Sequence, residues 1–237
     1  MSWYALSLQV GTVAVPTSLF WRFLIATLIM MAWVRWARLQ MAFSIGQHVK
    51  FVALGLFLFC LNFTLFYLGS AYLISGLLSV VFSLASIFNL AIAYLLYQAR
   101  PDRRVLMGAV LGLAGITMMF LPEVRGQSWN TEALIGLALC VAGTLSFCFG
   151  NQVSAGLQTA KVPVLSSNAW GMMYGTLLSG VFSLVMGYSL ALDFSPTYLV
   201  SLLFLAIVSS VIAFWAYLSL VGSIGAGRAS YATVVFP

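Results

Sequence analysis

Polar side chains that could bind a small molecule are scattered through otherwise apolar stretches of the sequence. They are one arginine, two asparagines, three serines and two aromatic residues: Arg22, Asn62, Ser79, Ser83, Asn89, Ser146, Trp215 and Tyr231. These groups can hydrogen-bond to a solute or stack on it. If the surrounding segment is helical, Ser79 and Ser83 share one helix face because they are four residues apart. The pattern indicates binding more than catalysis.

Residues suited to catalysis or metal binding do not cluster in the sequence. His48 is the single histidine, and no group of Cys, His, Asp and Glu has metal-ligand spacing. The three cysteines lie inside apolar runs, which gives no indication of a disulfide framework. A membrane-embedded transferase would need acids, bases, a metal or a nucleophile clustered at one interface, whereas Asp102 is two loop segments away from His48 in the sequence. We therefore predict no enzymatic activity, no metal and no cofactor.

The composition excludes an ordinary soluble domain. Of 237 residues, 63% are hydrophobic and 6% are charged, whereas soluble domains have about 25% charged residues. Fourteen charged side chains (10 Lys and Arg plus 4 Asp and Glu) cannot cover the surface of a globule of this length. The chain is predicted to be an integral membrane protein. The net charge is +6, but the basic residues are too widely scattered to form a surface that binds nucleic acid. We expect them to contact anionic lipid headgroups instead.

Uncharged runs divide the chain into membrane spans. The 49 residues 51–99 would form a helix of about 74 Å, far longer than a bilayer core of about 30 Å, so they must fold as two spans. Because the apolar runs do not alternate, we predict helices and no strands. We expect Pro16 to stop a partial first span, with Thr17 and Ser18 capping the next helix. The predicted spans are Ser2–Val15 (partial), Ser18–Ala37, Phe51–Leu68, Tyr72–Tyr97, Val105–Leu121, Ala133–Gly150, Ser166–Leu190, Thr197–Val221 and Ala226–Pro237 (partial).

The placement of charge gives an orientation to these spans. Eight of the ten basic residues fall in one set of alternate loops: Arg35, Arg38, Lys50, Arg100, Arg103, Arg104, Lys161 and Arg228. The other set of loops has Arg125 together with Glu123, Glu132 and Asp193. Basic residues concentrate in cytoplasmic loops, so the first set is predicted to face the cytoplasm.

Several motifs in order along the chain resemble those of a known family. They are the stretch from Pro16 to Ala26, the hairpin turn Gly69-Ser70-Ala71, Arg100-Pro101, the glycines Gly108, Gly112 and Gly115, and the stretch from Gly225 to Tyr231 with Pro237 at the end. Together they are similar to EamA-type transporters of the drug/metabolite transporter superfamily. Two departures from the family pattern are Gln98-Ala99 before Arg100, where an acid is usual, and Ser83 in place of a proline.

That resemblance implies an all-α multi-pass membrane fold of two inverted five-helix repeats. The repeats would occupy residues 1–122 and 133–237, with the first helix partial, the ninth incomplete and the tenth absent. It further implies a permease of the inner or plasma membrane that moves small organic metabolites, such as amino acids, by alternating access, with export as the usual direction. Because no Asp, Glu or His lies in a predicted span, we expect facilitated diffusion or exchange. A non-transporting fragment or membrane assembly protein is the alternative, and homo-oligomerisation stays open.

Each candidate binding residue has an alternative structural interpretation. Substrate is expected near the midplane between the two halves, where Ser and Asn could line a cavity. Serines and asparagines in membrane helices also bond neighbouring helices, and Trp215 could face either a cavity or lipid. Arg22 could extend to the membrane surface, or it could line the outer mouth and attract carboxylates. The pair Gly171 and Gly175 predicts a close helix contact.

Overall fold

In the computed structural model, the protein is described over residues 13–98, 103–119, 121–126 and 130–232. These residues form helices joined by short connections, and they contain no strand. The helices are α1 (Val15–Trp36), α2 (Ile45–Gly69), α3 (Ser75–Ser83), α4 (Ala85–Tyr97), α5 (Arg103–Met119), α6 (Leu121–Gly126), α7 (Thr131–Thr159), α8 (Val164–Val185), α9 (Pro196–Ile224) and α10 (Ala226–Ala229). The all-helical prediction is confirmed for this part of the chain.

Five segments are long and apolar enough to cross a bilayer: Val15–Trp36, Ile45–Gly69, Gly76–Leu96, Thr131–Thr159 and Pro196–Ile224. Each contains one of the predicted full spans or most of it. The predicted partial span Ser2–Val15 lies outside the described residues except at residues 13–15. The predicted partial span Ala226–Pro237 is described up to residue 232 and contains the short helix α10. A multi-pass membrane protein follows from the number of these helices.

Three local details differ from the prediction. Thr17 and Ser18 do not cap α1, which begins at Val15 with no side-chain cap, because their hydroxyls bond to other helices instead. The fourth predicted span is present as the apolar segment Gly76–Leu96, and within it a turn at Leu84 separates α3 from α4. Helix α7 continues nine residues beyond Gly150, to Thr159, because polar side chains of this stretch bond neighbouring helices, as Asn151 does with Tyr217 and Gln152 with Asn89.

The connections gather at two opposite ends of the helical bundle. At one end the α1–α2 connection contacts the start of α8: Ser166 Oγ donates to the Gln40 carbonyl (2.7 Å) and Trp170 Nε1 to that of Met41 (3.2 Å). At the other end Thr17 Oγ1 lies 2.7 Å from Ser183 Oγ. We call the first the basic end, since Arg35, Arg38, Lys50 and Lys161 flank its connections, and the charge asymmetry predicts that it faces the cytoplasm.

Helices α2 and α8 approach each other through three glycines. A Cβ atom built on Gly55 would lie 2.7 Å from the Gly171 carbonyl oxygen and 2.8 Å from the Gly175 nitrogen. A Cβ on Gly175 would in turn lie 2.7 Å from the Phe59 Cβ. The close contact predicted for Gly171 and Gly175 is confirmed, and its partner is Gly55.

Both long helices α2 and α9 contain a π-helical segment. In α2 it spans Gly55–Leu61 and begins 10 residues after the helix start (55 − 45), and in α9 it spans Leu205–Ile212 and begins 9 residues after it (205 − 196). Side chains bond carbonyls in both segments: Ser146 Oγ donates to Phe57 O (2.7 Å) and Ser210 Oγ to Leu205 O (3.0 Å). Such segments in α-helices frequently mark functional sites.

Candidate functional site

The guanidinium of Arg22 is enclosed by protein. Arg22 is seven residues into α1, about 10 Å along the helix axis, and its side chain is 3% exposed. Its Nε donates to Ser210 Oγ, 2.9 Å away in the π-helical segment of α9. The side chain therefore does not extend to the membrane surface, which was one of the two interpretations of the sequence.

The groups around Arg22 stabilise its positive charge without neutralising it. Its Cζ atom lies 4.5 Å from the centre of the Phe63 ring, in a cation–π contact that is worth about 2 kcal/mol when desolvated. The buried Tyr67 side chain lies near the guanidinium. Among the described residues no Asp or Glu forms an ion pair with Arg22. The site is thus a buried cation that an anionic group could pair with.

A group of phenylalanines borders the Arg22 site. Phe63 lies 5.2 Å from Phe23 and 5.9 Å from Phe214, measured between ring centroids, and Phe59 contacts both Phe23 and Phe214. These rings come from α1, α2 and α9, so the aromatic group joins the same three helices that surround the guanidinium. An aromatic border of this kind suits a solute with an apolar part beside its charged group.

The two predicted asparagines have different surroundings. Asn62 precedes Phe63 on α2, is 4% exposed and has no hydrogen-bond partner for its Oδ1 atom. Asn89 Nδ2 donates to the Ala85 carbonyl (3.0 Å), and Asn89 Oδ1 accepts from Gln152 Nε2 of α7 (3.3 Å). Asn89 therefore joins α4 to α7, whereas Asn62 retains an acceptor for a ligand.

The remaining predicted residues contact helix backbone or neighbouring helices. Ser83 Oγ donates to the Val80 carbonyl (2.6 Å) beside the break between α3 and α4, and Ser79 is buried on the same helix. Ser146 bonds the π-helical segment of α2, as described above. Tyr231 OH donates to the Val105 carbonyl of α5. Trp215 is 37% exposed and lies against Trp33, with 5.2 Å between the ring centroids.

A second polar group, on α7 and α9, was missed at the sequence level. Asn151 Nδ2 donates to Tyr217 OH (2.8 Å), and Asn151 Oδ1 is buried without a hydrogen-bond partner. Further along α7, Gln158 Nε2 donates to the Leu218 carbonyl (2.9 Å). The signal was present in the amides that follow Gly150, but the predicted span ended at that glycine.

Comparison with known proteins identifies the family. The sequence profile of the EamA-like transporter family matches residues 1–121, a little over half of the chain. The chain belongs to the EamA-like transporter family. Arg22, Asn62, Ser79, Ser83 and Asn89 lie within the part that matches this family, and the family resemblance stated from the sequence is confirmed.

Relatives of this EamA-like chain are found in bacteria and archaea. It is 27% identical to the uncharacterized transporter YoaV of Bacillus subtilis over 71% of this chain and 57% of YoaV. It is 23% identical to the protein PagO of Salmonella typhimurium over 100% of this chain and 77% of PagO. It is 24% identical to an uncharacterized transporter of Archaeoglobus fulgidus over 84% and 68% of the two chains. The chain thus spans a little over half of the length of YoaV.

A solved structure has the same fold. The EamA-like chain superposes on a protein of known crystal structure with a TM-score of 0.73, over 99% of this chain and 90% of the other, at 17% sequence identity. At this identity the similarity concerns the fold alone. A multi-pass membrane transporter fold is therefore established by the family match and by the apolar helices together.

Proposed function

We propose that the chain is a permease that moves small organic solutes bearing a carboxylate, such as amino acids, out of the cell across the inner or plasma membrane. The observation that carries this proposal is the buried Arg22, which has hydrogen-bonding and aromatic partners but no acidic one among the described residues. A lone charge in a membrane interior is costly, at about 2.5–3.5 kcal/mol on insertion scales, and such residues commonly mark solute pathways.

The transport mechanism we propose is alternating access between two inverted repeats, residues 1–122 and 133–237. The π-helical segments support it, because they occur 10 and 9 residues into α2 and α9, the helices that would correspond in the two repeats. Arg22 links the two proposed repeats, since it belongs to the first and its Nε bonds Ser210 of the second. Inverted-repeat transporters bind solutes at this interface.

The first experiment tests transport itself. Cells expressing the 237-residue chain are compared with vector controls for efflux of a panel of labelled amino acids. We expect faster efflux of at least one amino acid, and proteoliposomes containing the purified chain should reproduce it. An absence of transport in both assays, with folded protein in the membrane, would instead favour a non-transporting assembly role.

The second experiment tests the role of Arg22 with a matched pair of solutes. L-Leucine and L-leucinamide differ in the carboxylate, so Arg22→Gln should reduce leucine transport and spare leucinamide. A hydrogen bond to a charged group contributes about 1.5–3 kcal/mol, which corresponds to a loss of about 10- to 150-fold. Arg125→Gln is the control, because Arg125 is exposed on α6. Equal losses for both solutes in Arg22→Gln would contradict carboxylate binding.

A further inference from the structure

A cavity of about 430 Å³ lies at the basic end of the protein. It is bordered by the end of α7, the connection between α7 and α8, and the end of α9, with Gln158, Lys161, Val221 and Gly222 among its lining residues. Lys161 is the charged residue among those that line it, and it is exposed. The cavity therefore combines access from one side of the membrane with a positive charge.

Gln158 closes the contact between α7 and α9 at the wall of this cavity. Its Nε2 atom donates to the Leu218 carbonyl (2.9 Å) and to Ser154 Oγ (3.2 Å). Its Oε1 atom occupies the space that a Cβ atom on Gly222 would take. The closed position of this side chain thus depends on the absence of a side chain at Gly222.

Polar groups continue along α7 behind Gln158. Ser154 and Asn151 lie four and seven residues before it, on the same helix face. Ser154 is fully buried, and Asn151 bonds Tyr217 while its own Oδ1 atom is buried without a partner. An unpartnered buried amide oxygen is costly, and a solute that donates a hydrogen bond would satisfy it. The face from Gln158 to Asn151 is therefore suited to a hydrogen-bonding solute.

We propose that the cavity is the vestibule through which a carboxylate-bearing solute enters from the basic end, and that Gln158 is the gate between it and the Asn151–Tyr217 pair. This inference rests on the proposed transport function. When the Gln158 amide leaves Leu218, the vestibule extends along α7 to the polar pair. Lys161 at the entrance and Arg22 deeper in the protein favour the same class of solute.

The gate can be tested without transport, by labelling a thiol placed behind it. Ser154→Cys is introduced, and inside-out vesicles, in which the basic end is expected to face outward, are treated with a membrane-impermeant maleimide. Cys60, Cys140 and Cys148 are buried, and the parent chain without Ser154→Cys gives their background. We expect slow labelling of Ser154→Cys alone. When Gly222→Ala is added to Ser154→Cys, the new methyl group should displace Gln158 and raise the labelling rate about 10- to 30-fold. This increase corresponds to a change of about 1.4–2 kcal/mol in the free energy of opening the gate, at 1.4 kcal/mol per tenfold.

Two further variants make the result decisive. Gly156→Ala on the same helix adds a methyl group where no neighbouring atom lies within 4 Å, so it should leave the rate unchanged. Gln158→Ala removes the gate by truncation and should raise the rate even if Gly222→Ala does not fold. Unchanged labelling in a folded Gln158→Ala protein would overturn the gate. Faster labelling in a protein that transports no amino acid would support the gate and contradict the proposed substrates.

Discussion

The contact of Gly55 with α8 allows a stability prediction in which backbone atoms set the cost. In Gly55→Ala the new methyl carbon would lie 2.7 Å from the Gly171 oxygen and 2.8 Å from the Gly175 nitrogen. Ordinary contacts of a Cβ atom begin near 3.4 Å, so α2 and α8 would have to separate by about 0.7 Å (3.4 − 2.7). Because both neighbouring atoms are backbone, no side-chain rotation can relieve this overlap.

The expected cost of Gly55→Ala is that of overpacking, about 1–3 kcal/mol. Replacing a helical glycine by alanine also contributes about 0.5–1 kcal/mol of stability, which partly masks the cost. Gly115→Ala isolates this gain, since Gly115 is exposed on α5 and has no neighbouring atom within 4 Å of a new Cβ. The difference between the two variants should therefore equal the overpacking cost.

Thermal unfolding in mild detergent measures this difference. The three cysteines are buried, so a thiol-reactive fluorophore reports unfolding. At about 2–4 °C per kcal/mol for a chain of this size, Gly55→Ala should melt about 2–12 °C below Gly115→Ala. Equal melting temperatures of the two variants would refute the close approach of α2 and α8 through Gly55.

Two other substitutions test contacts at the end of the protein opposite the basic end. Thr17→Val keeps the side-chain shape but removes the hydroxyl that contacts Ser183 Oγ and the Ser189 carbonyl. It should therefore lower the free energy of unfolding by about 1–3 kcal/mol. The control Thr159→Val, at an exposed site, should change the melting temperature little. Matching melting temperatures would show that the Thr17 bonds contribute nothing. Gly187→Ala tests backbone strain, because Gly187 has a φ of 76° and open space around it, and about 1–2 kcal/mol should be lost in the same melting assay. A Gly187→Ala protein as stable as the parent would contradict that left-handed conformation.

The extent of the membrane helices could be predicted to within a few residues where charge or proline limits them. Helix α1 ends one residue before its predicted end at Ala37, and α9 starts at Pro196, one residue before its predicted start. The predicted span Ala133–Gly150 is shorter than α7, because the polar residues that follow Gly150 are typical of the end of a membrane span. In the structure these residues bond α4 and α9, so tertiary contacts stabilise a helix that composition alone did not indicate.

The sequence indicated which types of residue are candidates for binding a solute, but it did not indicate the contacts that each of them makes. Arg22 stood out because a charge inside an apolar span is expensive, but its burial against Phe63 and Ser210 required the structure. Serines were ambiguous for a physical reason, since the same hydroxyl can bond a backbone carbonyl or line a cavity. Ser83 and Ser146 bond carbonyls, and Ser210, which contacts the guanidinium, was not among the predicted residues.

By itself the sequence determined that this is an all-helical membrane protein and which family it belongs to. These properties follow from the amount and order of apolar, charged and turn-forming residues. Tertiary structure decided which polar groups face one another. Lipid and protein interiors are both apolar, so the hydrophobic pattern of a membrane helix does not reveal which face packs against a neighbour. The enclosure of Arg22 and the contact of Gln158 with Gly222 depend on helix packing, so the proposed binding site and the proposed gate could be located only in the tertiary structure.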